Sequence, residues 1–400
     1  MGGDRTTPPE AIVVTGLGRV VLPADCEDRT CDPRPYLVKP KTRKFMGPQD
    51  DLAVVAAALA FAAAKLEGPT HGDRTGLYLV VGQIPFEERA IDELLAASLR
   101  DGALSMEGFS TDGLQSVNPL LTFRCLPNMP AFHICANLGI TGPYLIAYPG
   151  PGQLYLALEQ ACLALAEGSI DQALVGGVAD QRNFLVEHHF RRIQPPTPGD
   201  HLANAAGIMV LERAAGAAAR SAPVVGRLDG LAFDYCRHDP LVASPAPSES
   251  FTTVSSSGLN LPGDLGPASL PVALGLVVER GEDTQLTHSL ASRDGMVAHS
   301  RWTLGQSGTA VRHSRPSAIL TRAATPHRVV VTGMGVVSPL GIGVTTFRDR
   351  LLAGHSRVGP ITLFDPAQLA TRIAAQADLP AARTGLRDRK IAFALEATGQ

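Results

Sequence analysis

The segment IVVTGLG at residues 12–18 returns near the other end of the chain as VVVTGMG at residues 329–335. The two segments align without a gap, because Thr15 and Thr332, like the glycines that follow them, lie 317 positions apart. In each segment a β-branched run leads into Thr-Gly, a pattern typical of a buried strand that runs into a glycine-rich turn. We therefore expect the chain to open the same α/β unit twice.

The composition favours a globular protein whose partners are small molecules or proteins. The chain has 400 residues, of which 45% are hydrophobic and 18% are charged, and its formal net charge is -3. This balance lacks the basic surface that nucleic acid or an anionic membrane attracts. The longest apolar run, residues 52–64, is too short for a membrane span and predicts a buried helix. The first residues lack a secretory pattern, so we expect a cytoplasmic protein.

Neither a metal nor a nucleotide cofactor is expected. The six cysteines are scattered, without a CxxC pair or histidines at zinc spacing. The glycines of TGMGVVSPLG, residues 332–341, lack the spacing of a dinucleotide-binding turn, and Pro339 stands where the helix should begin. We expect these glycines to let a strand turn tightly in a packed core.

Helix and strand patterns alternate through the first part of the chain. Residues 51–66 and 154–167 are rich in Ala and Leu and predict helices, whereas residues 76–81 and 172–175 predict short strands. This alternation predicts a largely parallel sheet covered by helices.

Two later stretches bear on domain organisation. The run IMVLER at residues 208–213 predicts another buried strand, and residues 223–232 are expected to start a second lobe. Residues 238–258 are rich in Pro, Ser and Thr and predict a loop or linker.

Longer motifs resemble a known family. Residues 327–375 resemble the opening of a β-ketoacyl-ACP synthase, through the SPLG turn, the LLAG helix end and the FDP motif. The first copy is similar to the same family through its opening turn, through LGITGPY at residues 138–144 and through EQACLALAEGSIDQALVGG at residues 159–177. The resemblance implies a thiolase-like α/β fold, with two similar halves in stacked α-β-α-β-α layers, and enzymes that usually form dimers.

The resemblance also implies a nucleophilic cysteine at a strand-to-helix elbow and two histidines that assist decarboxylation. Alignment forwards from the GP pair at residues 142–143 and backwards from the GG pair at residues 176–177 puts Pro151 at the cysteine position. Proline offers neither a nucleophile nor a backbone N–H. Cys162 lies eleven positions downstream and is expected to pack in the core.

The histidine motifs of the family are also missing. No HGTGT-like stretch occurs between residues 207 and 314, and the segment aligned with the family's GHxxGAAG motif reads PGDLGPAS. This alignment puts Asp264 at the second histidine position, where an aspartate cannot replace a neutral imidazole without a large pKa shift. His201 lies in the segment PGDHLANAAG, residues 198–207, which keeps only the final glycine turn of the family's G-x-G-E-G-A pattern. We therefore expect His201 to be a solvated loop residue. We expect no intact catalytic set in this chain.

A basic cluster, Lys39, Lys41, Arg43 and Lys44, lies in a stretch that resembles the synthase segment after the first turn. The cluster predicts either a contact for an acidic acyl carrier protein or an ordinary solvated loop.

The repeat predicts three parts of the chain. Residues 10–312 are expected to form a degenerate synthase-like unit, residues 313–327 a linker, and residues 328–400 the incomplete N-terminal part of a second synthase unit. Pro151 lies 138 positions after Val13, and the same spacing from Val330 passes residue 400. We therefore expect the sequence to be a fragment of a longer tandem protein.

Three functions follow from these expectations. The favoured one is a non-catalytic subunit, similar to the chain-length factors of polyketide and aryl-polyene pathways, that pairs with an active synthase in cis or in trans. One alternative is a tandem β-ketoacyl-ACP synthase that condenses acyl and malonyl-ACP, with its catalytic half beyond residue 400. The other is a structural module that binds a carrier protein. The favoured function predicts an acyl carrier protein and an active synthase as partners, in a dimer.

Overall fold

The computed structural model describes residues 10–22, 31–66, 72–83, 88–150, 152–193, 202–235, 259, 261, 263–281, 284–291, 296–305, 330–367, 369, 371–379 and 388–400. The chain divides into two compact units, Met1–Arg322 and Ala323–Gln400. The loop predicted at residues 238–258 and the linker predicted at residues 313–327 lie outside the described residues. No helix in the described ranges is long and apolar enough to cross a membrane.

The first unit contains ten described strands, eight of which form one sheet. In chain order they are β1 (Ile12–Leu22), β2 (Thr75–Val81), β3 (Leu99–Arg100), β4 (Ala103–Leu104), β5 (Tyr144–Ala147), β6 (Gln172–Ala179), β7 (Asn204–Arg213), β8 (Gly226–Tyr235), β9 (Thr284–Ala291) and β10 (Met296–Leu304). The short strands β3 and β4 pair separately as a hairpin.

The large sheet has the order β5-β2-β6-β7-β1-β8-β10-β9. Strand β2 is parallel to β5 and to β6, and the other five neighbouring pairs are antiparallel. The expectation of a largely parallel sheet is therefore wrong. Both faces of the sheet are covered, so β6 and the antiparallel β7 are equally apolar, and apolar runs alone do not encode strand direction.

Strand β8 also corrects the prediction of a second lobe at residues 223–232. It pairs with β1, with Arg227 opposite Val13 and Gly226 opposite Val14, and so extends the first sheet. An apolar strand can pair with the open edge of a sheet even when the two strands are far apart in sequence.

Helices cover both faces of this sheet. The described α-helices of the first unit are α1 (Pro48–Ala63), α2 (Glu88–Ser98), α3 (Met106–Gly108), α4 (Leu114–Ser116), α5 (Leu121–Cys125), α6 (Met129–Leu138), α7 (Gln153–Ala166), α8 (Phe184–Ile193), α9 (Ala214–Ala219) and α10 (Ser269–Glu279). Shorter 3₁₀ helices span Arg34–Tyr36, Pro40–Phe45 and Gly266–Ala268, and a π-helical turn spans Phe109–Gly113.

The side chains of β2 show how the two faces are divided. Tyr78 and Val80 join the apolar cluster that includes α7 and α10, whereas Leu77, Leu79 and Val81 join the cluster that includes α1 and α6. Successive side chains of a strand point to opposite faces, so these four helices form two layers around the sheet. The described residues of the first unit therefore form an α-β-α arrangement, three of the five predicted layers.

The repeated glycines of the opening segment allow β1 to lie directly on α1. A Cβ on Gly18 would overlap the carbonyl oxygen of Ala56, and a Cβ on Gly16 would overlap that of Ala60. Only glycine permits this backbone approach in the first copy. The packed core expected around the glycines of residues 332–341 is not formed at Gly333, where nothing lies within 4 Å of a Cβ and the backbone is in no strand.

The described residues of the second unit form short elements. They are β11 (Val337–Ser338), β12 (Gly341–Ile342), α11 (Val344–Leu352), β13 (Val358–Pro360), β14 (Ile373–Ala375) and α12 (Arg389–Thr398). Strands β11 and β12 form one hairpin, and β13 and β14 form another.

The buried strand predicted at residues 329–331 is wrong for its two described residues. Residues 330–336 form no strand, and Val330 and Val331 are 59% and 81% exposed. A strand needs a neighbour for its backbone groups. In the second unit this segment instead contacts the end of α12, where Val336 N–H donates to Gln400 Oε1 at 3.0 Å.

Candidate functional site

The candidate site lies at the carboxyl edge of the parallel strands β5, β2 and β6. In such sheets ligands bind beyond the carboxyl ends of the strands. Helix α7 begins at this edge, because it follows β5 and leads back to β6, and its N-cap is Gly152. Pro151, which the alignment places at the nucleophile position, directly precedes that N-cap and lies outside the described residues.

Neutral polar side chains connect the ends of these elements. Gln49, in the first turn of α1, donates from Nε2 to the carbonyl oxygen of Gln83 at 2.9 Å. Tyr148, just after β5, donates its hydroxyl to Gln83 Oε1 at 3.2 Å. The Oε1 atoms of Gln49 and Gln153 are buried without a hydrogen-bond partner. Amides and a phenol can position a ligand, but they supply neither a strong nucleophile nor a base near neutral pH.

Asp264, at the predicted second histidine position, is bonded to its own surroundings. Its carboxylate accepts a hydrogen bond from the backbone N–H of Gly266 at 2.8 Å. Its carbonyl oxygen accepts from Gln181 Nε2 at 2.7 Å and from Ala203 N–H at 3.0 Å. These bonds fix the turn that leads into the 3₁₀ helix Gly266–Ala268, so the residue holds the backbone in place.

Close packing of this turn depends on the glycine pair at the end of the family motif. A Cβ on Gly177 would overlap the carbonyl oxygen of Pro267, within the 3₁₀ helix that precedes α10. Gly177 therefore allows that helix to approach β6 directly, whereas its neighbour Gly176 allows close contact with Gly207 and Ile208 on β7.

The described cysteines with shifted pKa values are poor nucleophiles. Cys162 lies in the core on α7, as predicted, and burial, followed by the nearby Glu159 carboxylate, raises the pKa of its thiol to about 12. Burial also raises the thiol pKa values of Cys31 and Cys135 to about 11. A nucleophilic cysteine needs a lowered pKa, so none of these three thiols is activated.

Two buried histidines were not singled out by the sequence. His288 on β9 lies 2.6 Å from the hydroxyl of Tyr155 on α7, and Tyr155 is fully buried. Burial lowers the pKa values of His288 and His133 to about 4, so both rings are neutral at pH 7. Tyr155 and His288 lie 133 positions apart, and no motif spans them.

The position of His201 lies outside the described residues. Among the described residues, no three His, Cys, Asp or Glu side chains are grouped so that they could hold a metal ion.

The basic cluster lies on and beside the 3₁₀ helix Pro40–Phe45. Lys39, Lys41 and Lys44 are exposed, and Lys44 Nζ lies 4.9 Å from the ring centroid of Phe45. Arg43 is half-buried, and its guanidinium forms an ion pair with Asp51 on α1 at 2.6 Å. The four predicted cations therefore lie on one segment, and one of them, Arg43, is paired with a carboxylate of the same chain.

Exposed apolar side chains lie on β5 and on α6. Strand β5 is the terminal strand of the described sheet, and Tyr144 at its start is 69% exposed. Phe132, on α6, is 56% exposed. An edge strand with exposed apolar side chains offers backbone and side-chain groups to a second protein.

Comparison with known proteins identifies the family. Residues 18–202 and 327–390 match the family model described as Beta-ketoacyl synthase, N-terminal domain. Together the two segments make up more than half of the 400 residues, and the chain belongs to the β-ketoacyl synthase family.

Curated relatives match only short parts of the chain. A putative polyketide beta-ketoacyl synthase 1 of Streptomyces halstedii is 46% identical over 80 residues, which are 18% of this chain and 19% of the relative. The chloroplastic 3-oxoacyl-acyl-carrier-protein synthase I of Hordeum vulgare is 47% identical over 77 residues, 16% of this chain and 17% of the relative. The chain thus spans less than a fifth of the length of these relatives.

Solved structures match more of the chain at lower identity. A type II polyketide synthase complex, AntDE:AntF, in which an acyl-carrier protein is in complex with its ketosynthase, has a TM-score of 0.56 and 14% identity, and the match covers 74% of this chain and 99% of that chain. The ishigamide ketosynthase/chain length factor has a TM-score of 0.54 and 17% identity, with coverage of 74% and 99%. These likenesses show a thiolase-like ketosynthase fold.

Proposed function

We propose that residues 10–312 act as a non-catalytic, chain-length-factor-like subunit in fatty-acid or polyketide synthesis in the cytoplasm. The observation that supports this proposal most directly is the hydrogen bonding of Asp264 within its own turn. Its carboxylate accepts from Gly266 N–H, and the alignment matches Asp264 to the second catalytic histidine of the family. The alignment of Pro151 with the nucleophilic cysteine supports the same conclusion.

The proposed partner is an active β-ketoacyl synthase that completes a dimer. The terminal position of β5 in the described sheet and the exposed Tyr144 and Phe132 side chains support this pairing, because an edge strand and exposed apolar side chains can be covered by a second protein. The ketosynthase/chain length factor pair found among similar structures is consistent with such an arrangement.

The second proposed partner is an acyl carrier protein that docks on Lys39, Lys41, Arg43 and Lys44, which we name the docking cluster. Clustered cations attract an acidic partner and speed its association. An acyl-carrier protein complex among similar structures supports this partner class.

Residues 328–400 are proposed to begin a second synthase unit, after a linker at residues 313–327. The separate match of residues 327–390 to the same family model supports this division. If it is correct, residues 1–322 expressed alone should retain the thermal transition of the first unit.

Size-exclusion chromatography with light scattering, on mixtures with a type II ketosynthase subunit, tests the pairing. We expect a one-to-one complex that Tyr144→Asp weakens at least tenfold, because the change buries a charge at the proposed interface. Leu95→Asp is the matched control, since Leu95 is an exposed apolar residue on α2. A complex that tolerates Tyr144→Asp as well as Leu95→Asp would exclude the β5 edge, and the absence of any complex would exclude pairing.

A further inference from the structure

One cation of the docking cluster has an internal partner. Arg43 and Asp51 form an ion pair with an N–O distance of 2.6 Å, and the Asp51 side chain is only 7% exposed, whereas that of Arg43 is 41% exposed. The guanidinium also donates from Nη1 to the carbonyl oxygen of Met46 at 3.1 Å. Arg43 therefore faces solvent on one side and a buried carboxylate on the other.

We propose that Asp51 masks Arg43 within the docking cluster, so that an acidic partner meets three net cations while Asp51 is ionised and four once that charge is lost. This inference rests on the proposed carrier docking. An opposite charge in direct contact cancels much of the field of a cation at a surface.

Asp51 has few other partners that hold it ionised. Its Oδ1 atom is buried without a hydrogen-bond partner. Burial raises the pKa of Asp51 to about 7, a larger effect than the lowering by Arg43. The masking charge is therefore lost as pH falls through about 7.

The charged or titratable groups around Asp51 lie on α1, in the segment before the first 3₁₀ helix, and on α5. Asp50 on α1 has its pKa raised to about 8, first by burial, although its Oδ2 accepts from Gly47 N–H at 2.7 Å. In the segment before the first 3₁₀ helix, Asp32 has a lowered pKa through its bond to Arg34, and Cys31 has a raised one. Neither of these two groups titrates between pH 6 and 8.

The guanidinium of Arg124, on α5, also lowers the pKa of Asp51. It donates to the carbonyl oxygen of Lys44 and so helps to hold the 3₁₀ helix of the cluster. Phe45 and Phe123 add an edge-to-face contact with centroids 5.7 Å apart. Because these contacts do not involve Asp51, the helix should stay in place when Asp51 loses its charge.

The test measures the dissociation constant of an acidic acyl carrier protein for the full chain at pH 6, 7 and 8 and low salt. The affinity of the unmodified chain should rise about two- to fivefold from pH 8 to pH 6, the range expected for one partly exposed charge. Asp51→Asn should bind that much more tightly at pH 8 and lose most of the pH dependence. Arg43→Gln should bind weakly at every pH. Asp50→Asn should keep most of the dependence, because the carboxylate in contact with Arg43 is that of Asp51, while Asp50 acts on Arg43 only at longer range.

The opposite result for Asp51→Asn overturns the inference. If that variant, with an unchanged circular dichroism spectrum, binds as the unmodified chain does or more weakly at pH 8, Asp51 does not mask Arg43. Failure of the proposed docking is distinguishable, because the chain would then not bind the carrier protein, or would bind it equally well after replacement of Lys39, Lys41 and Lys44 by Gln. Either of these results overturns the docking and the masking together.

Discussion

The hydroxyl oxygen of Tyr155 lies 2.6 Å from Nδ1 of His288, and this hydrogen bond ties α7 to β9 inside the core. Nearby, Trp302 Nε1 donates to Ser300 Oγ at 2.9 Å. Burial raises the pKa of Tyr155 and lowers that of His288, so both groups are neutral and remain bonded across the physiological pH range. A buried bond between neutral groups supports α7, the helix that starts at the candidate site.

Replacement of Tyr155 by Phe removes the hydroxyl group and leaves Nδ1 of the buried His288 ring without this hydrogen-bond partner. We expect the free energy of unfolding to fall by about 1–2 kcal/mol, the cost of an unsatisfied buried polar group. Urea denaturation measures this change. Tyr144→Phe is the control, since Tyr144 is exposed and its variant should stay within about 0.5 kcal/mol. Equal stability of the two variants would contradict the role given to the buried bond.

Glu212→Ala should be more damaging. Glu212 is fully buried on β7, pairs with Arg220 and accepts a hydrogen bond from Thr15 Oγ1 at 2.5 Å. Its loss leaves a partly buried cation uncompensated, which costs about 3–5 kcal/mol. Glu187→Ala, which breaks an exposed pair with Arg191 on α8, should cost less than about 1 kcal/mol in the same denaturation experiment. A similar loss of unfolding free energy in both variants would mean that the buried pair contributes no more to stability than the exposed pair.

Gly18→Ala tests the close packing of β1 on α1. The new methyl group would overlap the carbonyl oxygen of Ala56, so we expect a melting temperature at least about 3 °C lower, equivalent to a loss of more than about 2 kcal/mol for a unit of this size. Gly216→Ala is the control, because nothing lies within 4 Å of a Cβ at this position in α9. That variant should be unchanged or more stable by up to about 1 kcal/mol. If Gly18→Ala has the same melting temperature as the unmodified protein, the backbones of β1 and α1 are not in contact.

Asp50→Asn should change how stability depends on pH. The pKa of Asp50 is about 8 in the folded chain, against an ordinary value of 3.8, so its stabilising effect is complete below pH 4 and lost as pH rises through 8. Each unit between the two pKa values is equivalent to about 1.4 kcal/mol. The free energy of unfolding of Asp50→Asn should therefore decline less between pH 4 and 9, as followed by urea titrations. An unchanged decline would show that Asp50 is ionised normally.

The sequence predicted the elements that depend on local composition. The apolar runs identified β1, β2, β6 and β7, and the Ala- and Leu-rich runs identified α1 and α7. Strand direction was missed because both faces of this sheet are covered, which makes parallel and antiparallel strands equally apolar. Val330 and Val331 repeat the start of β1 without forming a strand, since a strand also depends on neighbours that the local sequence does not specify.

Motif spacing and side-chain packing contribute differently to the candidate site. The assignments of Asp264 to a histidine position and of the docking cluster to a carrier contact come from motif spacing and stay predictions. Motif spacing could not reveal that Arg43 pairs with Asp51, or that Tyr155 meets His288, because such contacts are set by packing between separate elements. Whether a cation is free or paired is a property of the fold.

The central claim is that this chain does not catalyse condensation by itself. The most direct measurement supplies the purified chain with acyl and malonyl carrier proteins, with and without an active ketosynthase subunit, and detects β-ketoacyl products by mass spectrometry. We predict no condensed product from the chain alone, and with the ketosynthase a product whose length differs from that of the ketosynthase alone. Condensed product from the chain alone would contradict the account.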